Sequence, residues 1–256
     1  MVPLQIESYE PGTPAWVDLG SPDPAAAAGF YSGLFGWEVT DQGSEAGGYR
    51  MAFLGGRPVA GLGPQQQTDI PPYWTTYFSV PDADAVTKVV RDAGGQVFLE
   101  PMDVLDAGRM AVFADPTGAP FSVWQPRAHI GAGRVNEPGA MCWNELVTRD
   151  PATAKAFYPA VLGWSAADRE IEGVNYTEWK LGELTVAGML PMDDHWPAET
   201  SAHWMVYFAV EDTDRTAART GELGGTVLVP PTDIPPGRFA VLRDPHGAVF
   251  SIIALT

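Results

Sequence analysis

The chain is short of the residues that would commit it to several large functional classes. Of its 256 residues only Cys142 is a cysteine, which excludes an intramolecular disulfide and any multi-cysteine zinc site. Basic residues are scarce: 15 Lys and Arg stand against 32 Asp and Glu, for a formal net charge of -17. Nucleic acid and anionic membrane surfaces both demand clustered Lys and Arg, so neither is an expected partner. No apolar run approaches the roughly 20 residues of a membrane span. The opening MVPLQIESYEPGTP lacks the basic and apolar stretches of a secretory signal, so the expected location is the cytoplasm. No P-loop or GxGxxG spacing occurs. What is abundant is glycine and proline, 28 and 24 residues, which suits short strands joined by many turns.

The chain repeats itself. PAWVDLGSPDPAAAAGFYSGLFGW (14–37) lies over MCWNELVTRDPATAKAFYPAVLGW (141–164) at an offset of 127, which also matches Tyr49 with Tyr176 and Gly61 with Gly188. The offset becomes 130 where Trp74, Tyr77 and Phe78 match Trp204, Tyr207 and Phe208. It is 129 where GRMAVFADPTGAPFSV (108–123) matches GRFAVLRDPHGAVFSI (237–252). Small length changes confined to loops mark a tandem duplication. The expected organisation is a first module over 1–125, a Gly- and Pro-rich linker over 126–139 and a second module over 140–256.

Each module divides again. A strand at 15–20 is followed by a helix from Asp23-Pro24 to about Leu34, with proline at the first helical position. Short strands follow near 37–41, 49–54 and 57–63. The second half has a strand at 74–80, a helix over about 82–93 stopped by Gly94-Gly95, and strands near 96–102, 109–114 and 120–125. The predicted fold is α+β. Two tandem modules each pair two βαβββ units into a curved, cup-shaped mixed sheet, with helices outside. The concave face needs a lid, a partner module or a ligand; two modules in one chain can face each other and partly close both cups.

The motifs D-P-x-x-A-x-x-FY-x-x-x-x-GW (23–37 and 150–164) and DPxGxxFS (115–122 and 244–251) resemble the vicinal oxygen chelate superfamily of glyoxalase I, bleomycin-resistance proteins and extradiol dioxygenases. The openings are most similar to a tandem-module actinobacterial subgroup that includes a glyoxalase-like culture-filtrate antigen. The resemblance spans essentially the whole chain and implies the fold strongly, the chemistry weakly. In metal-dependent members it implies a metal in each cup, held by His or Glu on the first strand, on the strand opening the second half and on the last strand. Here those positions align with Trp16, Thr75 and Ser122, and with Trp143, Met205 and Ser251, poor ligands for a hard divalent ion.

Strand alternation sends residues i and i+2 to one face. Beside those positions the cups should present Asp18 and Tyr77, and Glu145, His203 and Tyr207, with Trp124 and Ile253 on the last strands. Aromatic surface with one carboxylate per cup suits a flat small molecule carrying a polar handle. Asp18 and Glu145 either accept hydrogen bonds from a neighbouring tyrosine, arginine or backbone group, or act as general acid or base after desolvation. Glu145 and His203 form the best acid–base pair available, or two legs of an incomplete metal site. Arg109 and Arg238, with Asp103 and Asp233, either pin a loop or clamp a substrate anion. His129, His195 and His246 read as residues of linker, loop and turn, and Cys142 as a small core residue.

Three functions follow. The first is a binding protein for a small, aromatic or planar organic molecule, without metal or other cofactor. The second is a lyase, isomerase or hydroxylase using Glu145, His203 and Asp18, with a divalent metal as the alternative cofactor. The third is an interaction protein with filled cups. Fusion of two modules predicts a monomer.

Overall fold

A computed structural model describes residues 4–66, 70–171 and 173–256. The chain opens with β1 (Leu4–Gln5). The first half of module one runs β2 (Pro14–Ser21), α1 (Pro24–Phe35), β3 (Glu38–Asp41), β4 (Arg50–Leu54) and β5 (Arg57–Pro64). Its second half runs β6 (Tyr73–Ser79), α2 (Ala83–Asp92), β7 (Gln96–Val104), β8 (Gly108–Ala114) and β9 (Pro120–Pro126). The linker contributes β10 (Arg134–Val135), antiparallel to β1. Module two repeats the order: β11 (Met141–Thr148), α3 (Pro151–Leu162), β12 (Ser165–Ile171), β13 (Val174–Leu181) and β14 (Leu184–Pro191). It closes with β15 (His203–Ala209), α4 (Thr213–Glu222), β16 (Thr226–Ile234), β17 (Gly237–Arg243) and β18 (Val249–Leu255).

Each module forms one eight-stranded mixed sheet. The orders are β3-β4-β5-β2-β6-β9-β8-β7 and β12-β13-β14-β11-β15-β18-β17-β16, so the two βαβββ halves join at their first strands. The repeated motif explains the helix ends. Asp23 and Asp150 accept backbone N–H groups of the first turn as N-caps. Gly36 and Gly163 end the same helices in the left-handed region, at φ 74° and 72°, where a side chain would be strained. The next residue is the tryptophan of the GW pair. Trp37 donates to Gly139 O at 2.7 Å and Trp164 to Gly12 O at 2.9 Å, each reaching the segment that leads into the other module.

The modules meet differently from the arrangement expected above. The helix-bearing convex faces pack together, and the cups lie on the opposite faces of the sheets. Val17 and Leu19 of β2, Trp74 of β6, and Val206 and Phe208 of β15 share one buried cluster with Phe30, Tyr31 and Phe35 of α1 and Phe250 of β18. Phe35 stands 5.0 Å from Phe208, and Phe78 stands 5.0 Å from Trp204, ring centre to ring centre. Residues alternating with these on β2, β6, β11 and β15 are the cup residues. The physical reason is economy of apolar surface: a sheet face covered by one helix per half leaves an apolar strip, which burial against its duplicate removes from water.

Candidate functional site: two tyrosine–carboxylate clusters

Asp18 on β2 pairs with Gly61 of β5 and Thr75 of β6, and Glu145 on β11 pairs with Gly188 of β14 and Met205 of β15. Tyr77 pairs with Ser122, and Tyr207 with Ser251. These residues, with Trp16, Trp143 and Trp124, share the concave faces. The Tyr77 hydroxyl donates to Asp18 Oδ2 at 2.9 Å, and the Tyr49 hydroxyl reaches the same oxygen at 3.3 Å while accepting from Trp16 Nε1 at 3.1 Å. Module two repeats the cluster. Tyr176 donates to Glu145 Oε1 at 2.7 Å, Tyr207 to Oε2 at 3.0 Å, and Trp143 Nε1 to the Tyr176 hydroxyl at 3.0 Å.

Burial dominates the electrostatics. It pushes Asp18 up to about 6 against the opposing pull of the Tyr77 and Tyr49 hydrogen bonds. Glu145 is raised for the same reason, opposed by Tyr176 and Tyr207. Asp18 is half-buried and keeps an outlet to solvent, whereas Glu145 is only 7% exposed. Burial and the adjoining carboxylates push all four tyrosines well above their ordinary value, so they stay donors. Ser122 Oγ and Ser251 Oγ lie buried beside the Tyr77 and Tyr207 hydroxyls. They ease the phenol values a little but complete no hydrogen bond.

Tyr49 and Tyr176 did not stand out as site residues from sequence. Their signal is the repeat itself, where Tyr49 matches Tyr176 and Gly61 matches Gly188. A Cβ on Gly61 would lie 1.7 Å from the Tyr49 hydroxyl oxygen, and one on Gly188 1.8 Å from that of Tyr176. Each tyrosine therefore lies across a glycine to reach the carboxylate.

His129 corrects another expectation. It is more than a residue of the linker: its ring stands edge-on to Trp16 at 4.6 Å, and its carbonyl accepts from Trp124 Nε1 at 2.7 Å. Nε2 is buried without a hydrogen-bond partner, and burial lowers the ring to about 4, so it is neutral at physiological pH. The linker thus walls cup one at its Trp16 end.

Other singled-out residues are dispersed. His203 faces cup two, with Nδ1 against Ser201 O at 2.9 Å, while both Glu145 oxygens are bound by tyrosines; no hydrogen bond joins the pair. Arg109 and Arg238 lie outside the cups. Arg109 forks onto Asp84 at 2.8 and 3.0 Å and reaches Asp103 at 2.9 Å; Arg238 does the same with Asp214 and Asp233. His195 is exposed beside Asp193, His246 sits in the Asp244 turn, and burial pushes the Cys142 thiol up to about 12.

The motif aspartates are structural. Asp115 Oδ1 gathers Thr117 and Ala119 donors within its turn, and Asp244 does so with His246, Gly247 and Ala248. Two surface clefts of about 510 and 500 Å³ lie along the module seam, one by Phe35 and Val210, the other by Thr117 and Arg149, away from both cup floors.

A metal implied by the fold does not fit this donor set. Each cup offers one anionic side chain, already carrying two phenol donors, beside indole, serine and, in cup one, threonine or, in cup two, methionine and His203, whose Nδ1 is taken up by Ser201 O. Among the described residues no three His, Cys, Asp or Glu converge as metal ligands.

Two family models match. Residues 13–123 match the glyoxalase/bleomycin resistance protein/dioxygenase superfamily and residues 140–253 a glyoxalase-like domain. The chain belongs to this superfamily, the vicinal oxygen chelate proteins. It is 47% identical to the anthracycline biosynthesis protein DnrV of Streptomyces peucetius over 96% of this chain and 94% of that one. It is also 47% identical to the putative glyoxylase CFP32 of Mycobacterium tuberculosis, over 96% and 95%. Among solved structures it is similar to a Mn(II)-bound glyoxalase from Novosphingobium aromaticivorans, with a TM-score of 0.66 and 18% identity over 95% of this chain and 82% of that one. The 2,3-dioxygenase LapB of Pseudomonas sp. KL28 gives 0.64 and 14% over 94% and 91%. At such identities the likeness concerns the fold. No described helix is long and apolar enough to cross a membrane.

Proposed function

We propose that the protein binds a flat, hydroxylated aromatic molecule in its cups without a metal. One observation carries this reading: a half-buried carboxylate with a raised pKa, bracketed by two tyrosine hydroxyls, shares a sheet face with Trp16, Thr75 and Ser122, the positions that align with the ligands of metal-dependent members. A carboxyl group that exchanges its proton not far below neutrality, with two phenols, can donate to or accept from ligand hydroxyl and carbonyl oxygens, and the partly open Tyr73 ring beside it supplies stacking area. Exposed Leu99 and Met102 on β7, paired with Val112 and Met110 of β8, extend an apolar rim beside this floor. Support also comes from the Streptomyces relatives, 46–47% identical and named for anthracycline biosynthesis, since anthracyclines are fused-ring hydroxyquinones.

A tryptophan-fluorescence titration with 1,4-dihydroxyanthraquinone, after dialysis against a chelator, tests the reading. Saturable quenching is expected, at least about tenfold weaker in Asp18→Asn, the loss of one charge-assisted hydrogen bond. Absence of saturable binding, or binding restored only by a divalent metal, contradicts it. A second reading, as a lyase, isomerase or hydroxylase, is favoured by the Asp18 value near 6, where a carboxyl group exchanges its proton close to neutrality. Turnover abolished by Asp18→Asn with binding retained would distinguish it.

A further inference from the structure

The floors of the two cups are alike, but what stands above them is not. Beside Asp18, module one places Gly20, Gln65, Tyr73 and Thr75, all partly open to solvent. The backbone puts Val147, Met192, His203 and Met205 at the same places in module two. Gly20 pairs with Tyr73 as Val147 pairs with His203, and Thr75 with Asp18 as Met205 with Glu145. Gln65 N–H bonds Ser21 O at 2.9 Å as Met192 N–H bonds Thr148 O at 2.8 Å. Val147, Met192 and Met205 form a buried cluster of their own, 2%, 7% and 8% exposed. The Trp196 side chain packs onto that cluster and stands 6.5 Å from the His203 ring. Arg149 holds the Trp196 loop, donating to Asp193 O and Trp196 O at 3.4 Å and to Pro197 O at 2.7 Å. Its counterpart in module one is Pro22, which has no such donor.

The chemistry follows from these exchanges. Glycine, glutamine and threonine leave Asp18 an outlet lined by an amide, a hydroxyl and the Tyr73 ring. Valine, two methionines and a tryptophan fill the same volume in module two and exclude water from Glu145. Trp143 and Tyr207 remain half-buried at the other end of cup two, while Glu145 itself is only 7% exposed. A ligand entering cup two would have to displace this packed apolar cluster, whereas in cup one the described residues beside Asp18 stand partly open, with Trp16, Tyr77 and Trp124 packed at the other end.

We infer that the protein has a single working cup: module one takes the ligand, and module two is closed by its own Val147, Met192, Met205 and Trp196. The inference rests on the binding function proposed above. It adds Gln65, Tyr73 and Thr75 as the residues that set the ligand's access and orientation over Asp18.

Native mass spectrometry of the full chain with excess 1,4-dihydroxyanthraquinone decides it. The unmodified protein is expected to carry one ligand per chain. Gly20→Val/Thr75→Met, which installs module two's residues in cup one, should carry none; a Cβ at Gly20 meets nothing closer than 3.7 Å, and an unchanged melting temperature verifies the fold. Met205→Thr/Trp196→Ala, if folded by the same criterion, should carry two. Two ligands on the unmodified chain, or one that survives Gly20→Val/Thr75→Met, overturns the inference while leaving ligand binding intact. A folded Met205→Thr/Trp196→Ala variant that stays at one ligand overturns the assignment of the closure to these side chains. No ligand on the unmodified chain overturns the binding function itself.

Discussion

The Tyr158 hydroxyl, in the first helix of module two, donates to Asp115 Oδ2, at the last turn of module one, over 2.8 Å in the buried seam. Its duplicate joins Tyr31 to Asp244 at 3.2 Å, and Trp204 and Trp74 complete each relay by donating to these tyrosines at 3.0 and 3.1 Å. The FY and DPxG motifs are thus two halves of one intermodule contact. Tyr158→Phe leaves a buried carboxylate oxygen and an indole N–H without partners, which should cost about 1–3 kcal/mol. Equilibrium denaturation measures it, and Tyr31→Phe should behave alike. A change within a few tenths of a kcal/mol would show that the seam does not depend on the relay.

Gly61 supports Tyr49 by having no side chain. Gly61→Ala places a methyl 1.7 Å from the phenol oxygen, so the tyrosine must move off Asp18. Overpacking of this kind costs roughly 1–3 kcal/mol. The expected result is a lower melting temperature with Asp18 shifted further upward, because the Tyr49 hydrogen bond lowers its pKa. A crystal structure of the variant with Tyr49 unmoved would refute the packing argument.

The stability of the chain should carry the signature of Asp18. Its folded pKa, about 6, exceeds the ordinary 3.8, so the native state holds the proton more tightly than the unfolded one. The contribution of this group is complete below the ordinary value and is lost as pH rises through 6. At pH 7 the loss is roughly 3 kcal/mol, less wherever solvent reaches the carboxylate. Asp18→Asn removes the charge and keeps an acceptor for the tyrosines. Its melting temperature should exceed that of the unmodified protein by about 5 °C at pH 8 and match it at pH 4. An equal difference at both pH values would contradict the assignment.

Much of this arrangement was legible in the sequence, and the illegible part has a physical cause. The duplication, the βαβββ order and the inward faces of β2, β6, β11 and β15 follow from periodicity, which is local. A tyrosine donor to Asp18 or Glu145 was readable as one of two roles for these carboxylates, and Tyr77 and Tyr207 were already on the inward face. Tyr49 and Tyr176 escaped because their role depends on β5 and β14 running parallel beside β2 and β11, a contact between distant segments. His129 escaped because a Gly-rich linker has no period to say which wall it crosses. The seam escaped for a similar reason: an alternating strand shows which residues share a face, not which face another module will cover.

The most direct measurement is a carbon-detected NMR titration of the Asp18 carboxyl carbon, without and with added Mn²⁺. The account predicts a midpoint near 6, raised further in Tyr49→Phe, and no paramagnetic broadening of the Asp18 signal by the ion. A midpoint near 4, or selective loss of the signal on adding Mn²⁺, would contradict it.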